Sequence, residues 1–214
     1  MHKEIKDAII RSQHCQRNWD LEQTIPQEDL DLLIAAATQC PSKQNVAFYK
    51  LHVVTNRDLI EKIAAQTNGF IVQRQPELKT TINTQVLANM LVVFEEYMDL
   101  TSKMDQLRNE QTRNLTSGIH DIPTLRAMDI DMKLAIGVAA GYLNLTASML
   151  GYQTGCCSCF LDKPVQEVMG LENRPILLMG IGSKDPSRNR RMHQTEDYMF
   201  PTKVKQEIKV NFIS

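Results

Sequence analysis

Between Met132 and Leu150 the chain is apolar or small on nearly every face of a helix. Met132, Ile136, Ala139, Ala140, Leu143, Ala147 and Leu150 recur at the three-and-four spacing of one helical stripe, and the other faces are also small or apolar. A helix without a solvent face has two uses: it is the central helix of a fold, or it is the core of an oligomer. Gly151 follows directly and suits the C′ position that ends such a helix.

The rest of the chain supplies shorter elements. Ile5, Ala8 and Ile9 predict a helix over Lys3 to Ser12, followed by a polar, basic stretch from Gln13 to Asp20. Pro26, with Glu28 and Asp29 behind it and Thr24 as cap, predicts a helix start. Leu30, Leu33, Ile34 and Ala37 form its apolar face, and it stops before Cys40-Pro41-Ser42 because a residue preceding proline is pushed out of the helical region. Phe48 to Thr55 predicts a strand, Asp58 to Gln66 a helix, and Leu91 to Glu95 a strand buried on both faces. Met98 to Asp121 is polar and is expected to be an excursion of loop or exposed helix. Val165 to Met169 predicts a short helix and Ile176 to Ile181 another buried strand. Ile208, Val210 and Phe212 alternate with polar residues, which predicts a strand at the C-terminal end. A strand there must pair with something, and a second subunit is one option.

Charge and cysteine usage narrow the function classes. The 214 residues carry 24 Lys and Arg against 25 Asp and Glu, a net charge of −1, which argues against a general polyanion binder. No run of about 18 apolar residues is present, so no membrane span is expected. The first seven residues lack the apolar stretch of a signal peptide. Five cysteines, three of them crowded at Cys156, Cys157 and Cys159, do not resemble a secreted disulfide framework and point to a reducing, cytoplasmic compartment.

Four clusters could carry chemistry. Arg11 to Arg17 combines charged forks with neutral donors, as phosphate recognition requires, although a solvated basic turn has the same composition. Cys40 to Asn45 lies between a helix and a strand, where donors for a heterocycle or plain turn residues are equally at home. Gly155 to Phe160 reads in three ways. It is a poor zinc site with no second pair of ligands, a Cys157/Cys159 redox pair, or a tight small-residue segment against a flat ligand. Arg188 to Arg191 follows a strand and suits either an anion or solvent. Phosphate-loop, dinucleotide-fingerprint, nucleophile-elbow and His-Glu-x-x-His motifs are absent from the sequence.

Taken in order, these clusters resemble the nitroreductase family of flavin enzymes over nearly the whole chain. Gln13-His14-Cys15-Gln16-Arg17-Asn18-Trp19 is similar to the family's basic motif after its first helix. Pro41-Ser42-Lys43-Gln44-Asn45-Val46-Ala47-Phe48-Tyr49 is similar to its Pro-Ser-Ser-x-Asn-x-Gln-Pro-Trp motif. The long helix ending at Leu150-Gly151, the segment Gly155 to Phe160 and the arginines at 188–191 follow in the matching places. Three departures stand out: Gln13 or His14 where the family has its first arginine, Ala47-Phe48-Tyr49 for Gln-Pro-Trp, and the three cysteines.

The resemblance implies an α+β nitroreductase-like fold, a central mixed sheet surrounded by helices in one domain over residues 1–214. It implies a homodimer whose tail, 203–214, adds a strand to the partner. It implies FMN as cofactor, with His14, Cys15 and Arg17 at its phosphate and Arg188 or Arg190 closing over it. Pro41, Ser42 and Asn45 would contact the ring or ribityl chain, Asn83 and Gln85 the pyrimidine edge. Cys157, Ser158 and Cys159 would face the flavin, the last two presenting amides toward N5, where a donor favours the reduced form. The implied activity moves electrons from NAD(P)H to a nitroaromatic, quinone or similar acceptor, with no dedicated catalytic side chain, no metal, no nucleic acid and no membrane. A flavin-binding or redox-sensing protein without turnover is the alternative.

Overall fold

The computed structural model describes residues 2–73, 79–97, 122–201 and 204–213. The polar excursion expected over 98–121 lies outside the described residues. Five helices and six strands are seen among them: α1 (His2–Ser12), α2 (Gln27–Thr38), β1 (Tyr49–Val54), α3 (Arg57–Ala64), β2 (Phe70–Gln73), β3 (Lys79–Thr81), β4 (Met90–Glu96), α4 (Ile122–Met149), β5 (Gln153–Cys157), α5 (Asp162–Met169) and β6 (Pro175–Gly182). No described helix is long and apolar enough to cross a membrane.

The main sheet has the order β1-β4-β6-β5, and β2 pairs with β3 in a separate ribbon. Every described pairing in the main sheet is antiparallel, so within this chain the sheet is not the mixed one expected. Continuous apolar sequence explains the centre. Met90, Val92 and Phe94 face one side of β4, Leu91 and Val93 the other, and all five are buried. On the first side Leu33 and Ala37 of α2 and Ile136, Ala139 and Leu143 of α4 complete one core. On the second side Ile60 and Ile63 of α3, Val165 of α5 and Trp19 complete another.

Local chemistry sets the element ends. Asn56 caps α3 by accepting the Leu59 N–H at 2.9 Å. Pro26, not Thr24, stands at the N-cap of α2, where it makes no side-chain bond. Gly151 takes φ +92° just beyond α4, a backbone that side chains resist. The sequence patterns do not predict β5, the β2–β3 ribbon, or the 3-10 turns at Lys43–Asn45 and Thr84–Val86. The expected C-terminal strand has no strand partner among the described residues. Residues 204–213 form no described strand, and Ile208, Val210 and Phe212 are exposed.

Candidate functional site

The segment 13–19 is stitched across the end of the main sheet. Gln16 N donates to Thr154 O of β5 at 2.8 Å, Thr84 Oγ1 donates to Arg17 O at 2.6 Å, and Trp19 Nε1 donates to Thr84 O at 2.9 Å. The chain after β6 folds back over it. Asn18 Nδ2 donates to Asn189 O and Met192 O, and Gln194 brackets the Trp19 backbone through both of its amide atoms. Arg188 Nη1 reaches Gln194 O at 2.7 Å, and Arg190 Nη1 reaches Cys15 O at 3.4 Å. Two basic clusters separated by about the length of the chain therefore meet at one place.

Between them lies a cavity of about 280 Å³ lined by Arg11, His14, Gln16, Gln153, Lys184, Arg188 and Arg190, with no acid among the described residues of its wall. Burial and the neighbouring Arg190 both lower the pKa of His14, so its ring favours the neutral form beside the arginines. Lys184 and Gln153 were not singled out from the sequence. Lys184 follows the Gly182-Ser183 end of β6, and its position beyond a buried strand was the available signal.

Beside this cavity Arg17 is held in a polar network. Its Nη1 donates to Asn83 Oδ1 at 2.7 Å, and its guanidinium lies over the Phe200 ring, 4.4 Å from the centroid. Burial lowers its pKa below the usual arginine value, although Cys15, Cys157 and Cys159 pull the other way. Asn83 Nδ2 donates to Gln85 Oε1 at 2.7 Å and to Cys157 Sγ at 3.0 Å, and Asn83 Oδ1 also accepts the Gln85 N–H. The contact with Phe200 could not be read from spacing, because the two are 183 positions apart.

The cysteine segment divides by strand alternation. Cys157 is buried on the Trp19 side of the sheet, and burial raises its thiol pKa. Cys156 points to the opposite core, where burial pushes its thiol up to about 12. Ser158 and Cys159 are exposed beyond the end of β5, with Cys159 O accepting Asn68 N–H at 2.8 Å. The glycine at 155 is explained by contact with this chain's own backbone. A Cβ on Gly155 would lie 2.6 Å from Gln85 O, and one on Gly180 opposite it 2.2 Å from the same atom. The glycines admit the 84–86 turn, which carries the Asn83 network.

His14, Cys15, Arg17, Asn83, Gln85, Cys157, Cys159, Arg188 and Arg190 are thus brought into one neighbourhood. Pro41, Ser42 and Asn45 are not. Their loop borders a separate cavity of about 380 Å³ with Thr38, Cys40 and Tyr49. Ser42 Oγ closes the loop on Val46 O at 2.8 Å, and Asn45 takes a left-handed φ of +56°.

The family model for the nitroreductase family matches residues 10–183, a span that contains most of this constellation. The chain belongs to the nitroreductase family. Solved structures carry the same fold at low sequence identity. A nitroreductase family protein from Streptococcus pneumoniae superposes with a TM-score of 0.62 at 20% identity, over 94% of this chain and 96% of that one. A candidate NAD(P)H:FMN oxidoreductase from Staphylococcus epidermidis gives 0.62 at 18% identity, over 94% and 92%. A candidate nitroreductase from Exiguobacterium sibiricum, determined in complex with FMN, gives 0.60 at 16% identity, over 85% and 89%. Among curated proteins none matches the sequence. The nitroreductase-family match spans the first three clusters along the chain and ends before the arginines at 188–191.

Proposed function

We propose that this nitroreductase-family protein binds FMN and acts as an NAD(P)H-dependent flavin oxidoreductase. The observation that carries the reading is the cavity lined by Arg11, Lys184, Arg188 and Arg190, adjoining the Arg17–Asn83 pair. The donor set fits the cofactor in two parts. Arg188, Arg190 and His14, with Arg11 and Lys184 behind them, suit a phosphate dianion, which guanidinium forks bind by charge-assisted hydrogen bonds. The backbone of Cys15 orients Arg190 toward that anion. Arg17 supplies positive charge near a pyrimidine edge, and Asn83 and Gln85 supply amides for its polar atoms. The amides of Ser158 and Cys159 are the donors proposed for N5. Bound FMN supplies the hydride and electron transfer from NAD(P)H to a nitroaromatic, quinone or similar acceptor. The protein's part is to bind, orient and bias charge.

Pro41, Ser42 and Asn45 stand apart within one chain and act in this reading on the flavin of a second subunit. The dimer reading rests on an exposed apolar stripe of α4, where Ile130, Leu134, Val138 and Tyr142 recur every four residues. The unpaired tail beyond 203 is the strand that crosses to the partner. One domain over 1–214 and work in the cytoplasm complete the proposal, the latter supported by five free cysteines.

The test compares FMN with riboflavin on cofactor-free protein, followed by flavin fluorescence. FMN is expected to bind more tightly, and Arg190→Ala to weaken FMN by about 10–100-fold, the equivalent of one charge-assisted hydrogen bond, while leaving riboflavin unchanged. FMN that fails to bind, or binds no better than riboflavin, overturns the cavity assignment. Bound FMN that NAD(P)H does not reduce overturns the enzymatic part.

A further inference from the structure

The cysteines are not absorbed by the family assignment, and their geometry is specific. β5 ends at Cys157, whose Sγ donates to Cys159 O at 3.6 Å and accepts Asn83 Nδ2 at 3.0 Å. The sulfur therefore lies over the short loop that carries Cys159. Cys159 is exposed, whereas Cys157 is 3% exposed. Asn83, which holds that sulfur, also accepts from the Arg17 guanidinium at 2.7 Å. Two residues of chain span at most about 7 Å, which overlaps the Cα separations that disulfides bridge.

We propose that Cys157 and Cys159 form an oxidation-responsive dithiol, closed to a disulfide by a small hydroperoxide and reopened by a low-molecular-weight thiol. The exposed Cys159 sulfur attacks one oxygen of the hydroperoxide. The O–O bond breaks, the alcohol (water, for hydrogen peroxide) leaves, and Cys159 carries a sulfenic acid. The Cys157 sulfur then displaces the hydroxyl. The S–S bond forms, and the Cys157 proton leaves with that hydroxyl as water. Two thiols and one hydroperoxide become a disulfide, an alcohol and a water. Burial keeps the oxidant from Cys157 and leaves it available only to its own loop. A bridge across one intervening residue is strained, and strained disulfides are the readily reduced ones. Two equivalents of a small thiol return both cysteines and depart as their own disulfide.

Closure has a consequence at the candidate site. The Cys157 sulfur that Asn83 Nδ2 binds is drawn toward Cys159, and the amide that orients Arg17 keeps Gln85 as its remaining side-chain acceptor. The oxidation state of the loop is thereby linked to the polar network beside the cationic cavity. The dithiol itself does not depend on the flavin reading.

The test treats the full chain with stoichiometric hydrogen peroxide and counts thiols after denaturation. Titratable thiols are expected to fall from the five free cysteines to three, two being consumed by one bridge. The intact mass should drop by about 2 Da, and dithiothreitol should restore five thiols. Cys159→Ser and Cys157→Ser are expected to lose no pair of thiols, while Cys15→Ser, Cys40→Ser and Cys156→Ser each still lose two. Fragmentation of the bridged wild-type peptide checks the location without any variant, because a 157–159 bridge suppresses backbone cleavage between those residues. Retention of five thiols, oxidation that stops at a single cysteine, or a bridge that survives Cys159→Ser overturns the proposal.

Discussion

Arg17 shows how little of a residue's role lies in its type. As a sequence symbol it is one cation in a basic stretch. In the structure Asn83 fixes one arm of its fork, Phe200 covers its face, and burial lowers its pKa. Asn83 in turn depends on the 84–86 turn lying directly on the sheet, which two glycines permit. Gly180→Ala would place a Cβ 2.2 Å from Gln85 O and 3.0 Å from the Ala88 Cβ. Backbone on one side and a buried methyl on the other leave no flexible group to yield. We expect Gly180→Ala to destabilise the fold by about 2–4 kcal/mol in urea denaturation, an overpacking cost in a closed core. A change within about 0.5 kcal/mol would mean that the turn can lift off the sheet. The residue types of the site were legible because arginine forks and amides recur in order along the chain. Their pairing was not, since Arg17 and Asn83 are 66 positions apart.

Among the elements, the strands show where periodicity works and where it fails. β4 and β6 were legible as short apolar runs. β5 was not, because a single Thr among Gln, Gly and two cysteines is too weak a strand signal, and its place is decided by pairing with β6. The start of α4 at Ile122 was missed as well, since the charges at Asp129, Asp131 and Lys133 mask the apolar stripe. At the β1–β4 pair, buried Glu95 accepts the Asn173 N–H at 2.6 Å and meets His52 Nε2 at 2.6 Å. Burial alone would raise the carboxyl. The Asn173 and His52 contacts outweigh it and hold Glu95 below its ordinary value of 4.5. A depressed folded-state pKa adds stability that is present above the unfolded value and lost as the pH falls through the folded one. Glu95→Gln is therefore expected to cost about 1–3 kcal/mol at neutral pH. Its deficit should shrink below pH 4.5, as the wild-type carboxyl takes up a proton. Denaturation curves across that range check the sign. A deficit that does not vary with pH would show that the charge contributes nothing.

For the whole molecule, α4 and the tail make the same demand. One face of α4 fills the chain's own core, while Leu134 on the opposite stripe is 62% exposed and Phe212 in the tail is 97% exposed. In the dimer reading both are covered by the partner. Leu134→Glu buries a charge there, and truncation after Pro201 removes the crossing strand. Each is expected to shift the light-scattering mass from dimer toward monomer and to lower flavin content. Two dimers of unchanged mass and flavin content would refute the exchanged tail and the α4 interface together. The sequence by itself determined the helices and the strands β1, β4 and β6, because their signals are local runs and periods of side chains. It also determined the family, because its motifs keep their order along the chain. The tertiary structure alone decided that the sheet within the chain is antiparallel, that two distant basic segments enclose one cavity, and that Pro41, Ser42 and Asn45 stand apart from it. These are contacts between residues far apart in the chain, fixed by how both faces of the sheet are covered, and no local pattern encodes them.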